Sequence, residues 1–317
     1  EGQRITRIGH DLDATGEVLD GSGLYVIPGL ANTHAHTAMT LLRGVAEDVR
    51  IEDWFNKHIW VLEQNLTPED VYIGTLLGAA EMLLSGITFV ADMYFYMDQA
   101  ARAYRDAGIR ADVSWGAFGA GSDWEEKYER ALGFSEDYVD YSPRITVSLG
   151  PHSPYICPPE FLRMMAGNAE ELGLKLHIHV SEEENQVAAS LQEHGMTPIE
   201  FLKDTGVLRE GTILAHAYYA TDQDLQLIKE SGAVVAHCPK TYMRFGDMHD
   251  FLPRALKAGV CCGLGTDGAA SNSTMNLFET ARDAALLAKC AAQDPEVATI
   301  SEILPLPLWA ATLKFRR

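Results

Sequence analysis

The chain has 317 residues, 47% hydrophobic and 22% charged, enough to bury one large core or two smaller ones. Its 45 acidic residues against 25 basic ones give a formal charge of −20, which argues against nucleic acid or an anionic membrane as a partner. Five cysteines (157, 238, 261, 262 and 290) show no C-x-x-C spacing, and the expected setting is reduced and cytoplasmic. No run approaches the ~20 apolar residues of a membrane span, and the opening EGQRITRIGH lacks both a Met and the apolar centre of a signal peptide.

In chain order, RITRIGHDLDATGEVLDGSG reads as short antiparallel strands with turns, too few to stand alone. From residue 25 on, strand candidates follow one another as LYVIPGLANTH, ITFVADM, IRADVSW, RITVSLG, LKLHIHV, TILAHA, AVVAHC and GVCCGLGTD. They are rich in β-branched residues and bounded by Gly or Pro, as buried parallel strands tend to be. Helical stretches such as PEDVYIGTLLGAAEMLLSG and DQDLQLIKESG lie between them, opening on Pro or Asp and closing on Gly. Eight such units predict an α/β fold of the (β/α)8 TIM-barrel type over residues 25–317. No G-x-G-x-x-G follows the first strand and no G-x-x-x-x-G-K-[ST] occurs, which removes the dinucleotide and P-loop readings. The final LPLPLWAATLKFRR stops just past the last barrel helices, and both ends look like remnants of something larger.

In such a barrel the chemistry sits at the C-terminal ends of the strands. Strand 1 ends in His34 and His36, which at i and i+2 face the same side. Strand 5 carries His177 and His179, strand 6 ends in His216, strand 7 in His237 and strand 8 in Asp267. His34, His36, one strand-5 histidine and Asp267 form a set suited to a catalytic ion, with zinc favoured and iron or manganese also fitting. His179 lies nearer the strand end and is the expected ligand, while His177 sits a layer deeper in a structural role. In HVSEEENQ, Glu183 and Glu184 read as an acidic helix start. Glu182 begins the turn after the ligand strand, where a carboxylate suits proton transfer.

Together, His34-Ala35-His36, HVSE, LAHA, HCPKT and LGTDGAASN resemble the amidohydrolase superfamily, and within it the aminohydrolase branch of adenosine-type, guanine and pterin deaminases and s-triazine hydrolases. AMTLLRGVAEDVRIEDWF and GPHSPYICP add to that likeness, which runs from about residue 25 to residue 290. The resemblance implies a barrel with a small β-sandwich built from both chain ends. Residues 1–24 would be its N-terminal part, and its C-terminal strands look absent. It implies metal ligation by His34, His36, His179 and Asp267, proton shuttling by Glu182, and a catalytic role for His216. Binuclear relatives place a carbamylated Lys at the end of strand 4, and RITVSLGPHSP has none, which points to one ion per chain.

The implied reaction is hydrolytic deamination of an amino-substituted heterocycle of the purine nucleoside or base type. Asp267 would take a proton from the attacking water, Glu182 would protonate the ring nitrogen and pass a proton to departing ammonia, and His216 would stabilise the attacking species. The alternatives are hydrolysis of another ring bond, such as C–Cl or a cyclic amide, and an inactive metal-binding homologue. The H-x-E and P-C-x-x-C pattern of cytidine-deaminase zinc sites is absent.

His152, Trp54 and Trp115 are candidate substrate contacts, Arg43 a loop anchor and His237 a neighbour of the ligands. TYMRFGDMHDF departs from the shorter Ser/Asn-rich loop common in this branch, and either shapes the pocket or marks missing residues. Trp115 stands where relatives accepting S-adenosylhomocysteine carry an Arg, so a neutral substrate is expected over a zwitterionic one. The partner is a small heterocycle, with neither nucleic acid nor membrane, and the chain is expected to form a homo-oligomer.

Overall fold

The computed structural model describes residues 5–10, 12–13 and 16–311. Its strands are β1 Leu30–His36, β2 Ile87–Tyr94, β3 Arg110–Ala117, β4 Ile145–Pro151, β5 Lys175–Val180, β6 Ile213–His216, β7 Val234–His237, β8 Cys261–Leu264 and a two-residue β9, Asp267–Gly268. Sequence neighbours are sheet neighbours throughout, in the order β8-β7-β6-β5-β4-β3-β2-β1-β9. Ala35 lies opposite Asp267 and His36 opposite Gly268. The eighth strand, interrupted at residues 265–266, therefore resumes against the first and closes a (β/α)8 ring.

Local chemistry sets the helix limits. Helix Pro68–Leu84 begins on a capping box in which Thr67 accepts from Asp70 N while the Asp70 side chain returns to the Thr67 backbone, and Thr197 and Thr221 repeat the device. Gly108 ends its helix at φ 78°, a left-handed conformation that costs glycine little.

β1 begins later than the apolar run LYVIPG suggests. Tyr25 and Val26 are 97% and 95% exposed, and the first ladder bond runs from Leu30 N to Gly86 O at 2.9 Å. Pro28 has no N–H to give a ladder, so pairing starts only beyond it. Among the described residues before Leu30 there is no strand. The sandwich expected for residues 1–24 falls on these exposed residues and on 1–4, 11, 14 and 15, which lie outside the described residues.

One irregularity matters for the site. Asn32 pairs with Val90 but Ala35 with Asp92, so β1 spends three steps where β2 spends two. Ala31 packs with Phe89, Ala91, Ile213, Val234 and Ala236 in a small cluster of its own. The extra residue then shifts the face presented, and beyond it His34 and His36 join side chains from β5, β6 and β9. The larger apolar core fills the layer between strands and helices. Among the described residues, no helix is long and apolar enough to cross a membrane.

Candidate active site

The strand ends bring the predicted residues to one place. His36 Nε2 and His179 Nε2 are 3.2 Å apart, and Asp267 Oδ1 lies 3.4 Å from His34 Nε2 and 3.3 Å from His36 Nε2. His216 Nε2 stands 3.6 Å from Glu182 Oε1. Backbone geometry aims several of these groups: Ser181, His216, Ala217 and Asp267 have φ of 48°, 74°, 49° and 57°. Non-glycine residues with positive φ carry strain that the surrounding fold must hold, and such strain gathers at functional sites.

The far side of each imidazole is tied down. Nδ1 of His36 lies 2.5 Å from Met93 O, Nδ1 of His179 lies 2.9 Å from His152 O, and Nδ1 of His34 lies 2.8 Å from His177 Nε2. A carbonyl only accepts, so His36 and His179 carry hydrogen on Nδ1, and where both rings hold just that hydrogen their Nε2 lone pairs face each other. At 3.2 Å that contact is repulsive unless a cation lies between. His34 Nε2 is buried without a hydrogen-bond partner and faces the same space, as does the Asp267 carboxylate. Three imidazole nitrogens and one carboxylate oxygen, with outer partners fixing each ring, fit a divalent metal ion.

Burial shapes the charges. It lowers the pKa values of His34 and His179 and takes His216 down to about 3, which keeps these rings neutral. Burial pushes Glu182 well above the usual carboxylate range, and the nearby Asp267 and Glu183 charges add to the rise. For Asp267 burial also acts upward, but the facing His34 Nε2 and the surrounding His36 and His216 imidazoles outweigh it and hold the carboxyl well below its ordinary value. Thr241 Oγ1 and Ser271 Oγ donate to Asp267 Oδ2 at 2.8 and 2.9 Å. The two carboxyls are thus pushed in opposite directions about the same centre.

The sequence matches the amidohydrolase family over residues 25–305. The chain belongs to that family. It is 42% identical to the 5'-deoxyadenosine deaminase of Methanothermobacter thermautotrophicus, over 88% of this chain and 66% of that protein. It is 39% identical to a 5-methylthioadenosine/S-adenosylhomocysteine deaminase of Carboxydothermus hydrogenoformans, over 93% and 70%. A crystal structure of an adenosine deaminase from Xanthomonas campestris with bound zinc superposes with a TM-score of 0.83 at 33% identity, over 88% of this chain and 65% of that one. The chain spans about two thirds of the length of the curated relatives it matches.

In this amidohydrolase the peripheral candidates separate. His152 lines the pocket beside His179, stacked on Phe118 at 4.5 Å, with burial as the main cause lowering it to about 3 among the neighbouring imidazoles. Trp54 is buried in the pocket wall and donates Nε1–H to Ala270 O at 3.3 Å. It opens a π-helical stretch, Trp54–Ile59, of a kind often found at functional sites. Trp115 faces a neighbouring open groove of about 620 Å³ with Trp60, Phe95, Tyr96 and Phe118. Arg43 binds Glu81 and the Ser273 carbonyl, an anchor between two loops. His177 lies beneath His34, and His237 has a buried Nδ1 without a partner. TYMRFGDMHDF forms most of helix Pro239–Arg244 and the start of Phe251–Ala258.

Glu63 was not among the sequence candidates. It lines both pocket and groove, and its Oε1 accepts from Tyr94 Oη at 2.6 Å. Nothing but the amphipathic run WFNKHIWVLEQN could have pointed to it. The contacts of Thr241 and Tyr242, on helix Pro239–Arg244, were equally hidden, because their partners Asp267 and His216 lie on strands distant in sequence.

Proposed function

We propose that this chain is the catalytic barrel of a mononuclear zinc-dependent deaminase acting on a purine nucleoside. The observation that carries the reading is the convergence of Glu182, His216 and Asp267 on a cluster of three further histidines, in a chain whose relatives are named as adenosine-type deaminases.

His34, His36, His179 and Asp267 would hold the ion, which when bound lowers the pKa of water toward neutrality. Asp267 accepts the proton of the attacking water, its second oxygen kept in place by Thr241 and Ser271. Glu182, protonated in its buried site, gives its proton to the ring nitrogen next to the carbon under attack, which draws charge out of the ring. The proton collected by Asp267 then leaves with ammonia as the C–N bond breaks, and the proton still on the added oxygen passes to Glu182 as the carbonyl forms, which restores the acid. His152 and Trp54 flank the base, the first offering a ring nitrogen and the second apolar surface. Glu63 stands where the sugar hydroxyls of a nucleoside would seek an acceptor.

Ammonia release from zinc-loaded protein tests the reading. Adenosine, 5'-deoxyadenosine and methylthioadenosine should be deaminated, with guanine, a pterin and an amino-triazine far behind. Activity should vanish with a chelator and return with about one zinc per chain. Full turnover without metal, or action on the triazine alone, would overturn it.

The same reading places the protein in the cytoplasm, supported by the unbridged buried cysteines 157, 238 and 262. Self-association is supported by Ile73, Leu77 and Leu84, exposed on helix Pro68–Leu84. Exposed Ile5, Ile8, Val18 and Leu19 support placing the first residues in a small β-sandwich.

A further inference from the structure

His216 differs from the other histidines of the centre in what holds its outer nitrogen. Nδ1 of His36 and of His179 faces a carbonyl, an obligate acceptor. Nδ1 of His216 faces a hydroxyl, Tyr242 Oη, at 3.1 Å. A phenol can give or take a hydrogen bond, so the surroundings decide the direction. Tyr242 is 3% exposed, and its hydroxyl has no other hydrogen-bonding neighbour among the described residues. Were His216 Nδ1–H to donate, the buried phenolic hydrogen would be left without an acceptor, a cost of about 1–3 kcal/mol. With Tyr242 donating instead, the phenolic hydrogen is satisfied by Nδ1, and the imidazole hydrogen moves to Nε2, which faces the reacting centre with Glu182 Oε1 3.6 Å away.

We infer that Tyr242 is a positioning residue that fixes His216 as the Nε2–H tautomer, making it a hydrogen-bond donor to the reacting centre and not a metal ligand. By proximity alone the ring is ambiguous, since its nitrogen also clusters with His34 and Asp267 in metal-ligand geometry. A nitrogen that carries hydrogen has no lone pair for an ion, so the tautomer settles which role the ring plays. An N–H aimed at the site stabilises negative charge as it builds on an attacking oxygen, whereas a bare lone pair would repel it.

The surrounding segment is built to hold that hydroxyl. Tyr242 stacks on Tyr218 with ring centroids 3.6 Å apart and planes 9° from parallel. Tyr218 Oη in turn accepts from His249 N at 2.6 Å, within the loop that follows. The unusual TYMRFGDMHDF segment thereby sets the tautomer of a residue on β6. Thr241 next door orients Asp267, so one turn of chain serves two reacting groups.

The inference rests on the deaminase reading only for its rate readout, since the tautomer is observable without substrate. In zinc-loaded protein labelled with 15N-histidine, His216 is assigned by comparison with His216→Asn, and its two ring nitrogens report which bears the hydrogen. Nε2 should be protonated and Nδ1 bare, the reverse of His36 and His179. Tyr242→Phe keeps the ring stack but removes the hydroxyl. His216 should then lose its single tautomer, and kcat should fall roughly 10- to 100-fold, the usual scale for losing an outer partner, with KM little changed and zinc content intact. A protonated Nδ1 in the unsubstituted protein would overturn the inference without any variant. So would a Tyr242→Phe protein with both the His216 tautomer and kcat unaltered. Absence of ammonia release from every nucleoside, with the expected tautomer present and lost in Tyr242→Phe, would count against the reaction and uphold the positioning role.

Discussion

Glu182 and Glu183 are neighbours in sequence with different work. Glu182 is buried against His216, while Glu183 caps the helix Glu184–His194 through a box with Gln186. Glu182→Gln keeps the shape but has no proton of the right acidity to give. Metal content should stay the same and turnover should fall roughly a hundredfold or more. Glu183→Gln should cost some stability and little rate, so a larger kinetic loss there would show that the acid had been misplaced by one residue. Glu63 gives a second handle, through pH. Burial raises it to about 7 against the opposing hydrogen bond from Tyr94. It is neutral below that value and ionised above it, and an ionised acceptor binds a hydroxyl more strongly. The KM for a ribose-bearing nucleoside should therefore fall as the pH rises through about 7, and Glu63→Gln should flatten that limb. A KM that rises over this range would assign Glu63 a different role.

Among the elements, the strand ends show what could be read in advance. His34 and His36 share a face because they lie two apart, and Glu182 follows His179 closely enough that no alternative register places it far from the centre. The bulge between Asn32 and Ala35 left no trace in the pattern. Strict alternation from Ala31 would have turned both histidines away from the interior, and only pairing with β2 reveals the extra residue. The break in the eighth strand was also hidden, since GVCCGLGTD reads as continuous. That break brings Gly265 against β1: a Cβ there would lie 2.7 Å from Cys238 Sγ and 3.0 Å from both Cβ and O of His34. The backbone of His34 cannot retreat without moving an imidazole of the proposed metal set. Gly265→Ala should thus cost about 1–3 kcal/mol, read as a lower Tm. It should also weaken zinc binding, read by competition with a chromophoric chelator. Adding Cys238→Ala should recover part of the Tm but not the affinity, because the clash with His34 persists. An unchanged affinity in Gly265→Ala would show that this contact does not position the ligand.

At the scale of the whole molecule, the pocket adjoins the open groove that Trp115 lines. Pocket and groove share Trp60, Glu63, Phe95, Gly116 and Phe118, so a ligand seated over the centre would extend its far end between these aromatic walls. The groove's cations are already engaged: Lys127 pairs with Asp123 at 2.9 Å and Arg130 with Glu126 at 2.9 Å, each four residues apart on one helix face. Exposed pairs of that kind are worth little by themselves, but they leave no guanidinium set to grip a carboxylate in bidentate fashion. A substrate tail with a carboxylate would meet Glu63 and those two acidic partners, and would lose its water for poor return. An apolar tail would bury itself against indole and phenyl surface instead. Comparing kcat/KM for adenosine, methylthioadenosine and S-adenosylhomocysteine separates the two cases. Methylthioadenosine should lead S-adenosylhomocysteine by roughly tenfold or more, the equivalent of about 1.4 kcal/mol. Trp115→Arg should narrow that gap by raising the rate on S-adenosylhomocysteine. A chain that prefers S-adenosylhomocysteine from the start would mean that Lys127 or Arg130 leaves its partner to take the carboxylate, and Lys127→Ala and Arg130→Ala would then show which one.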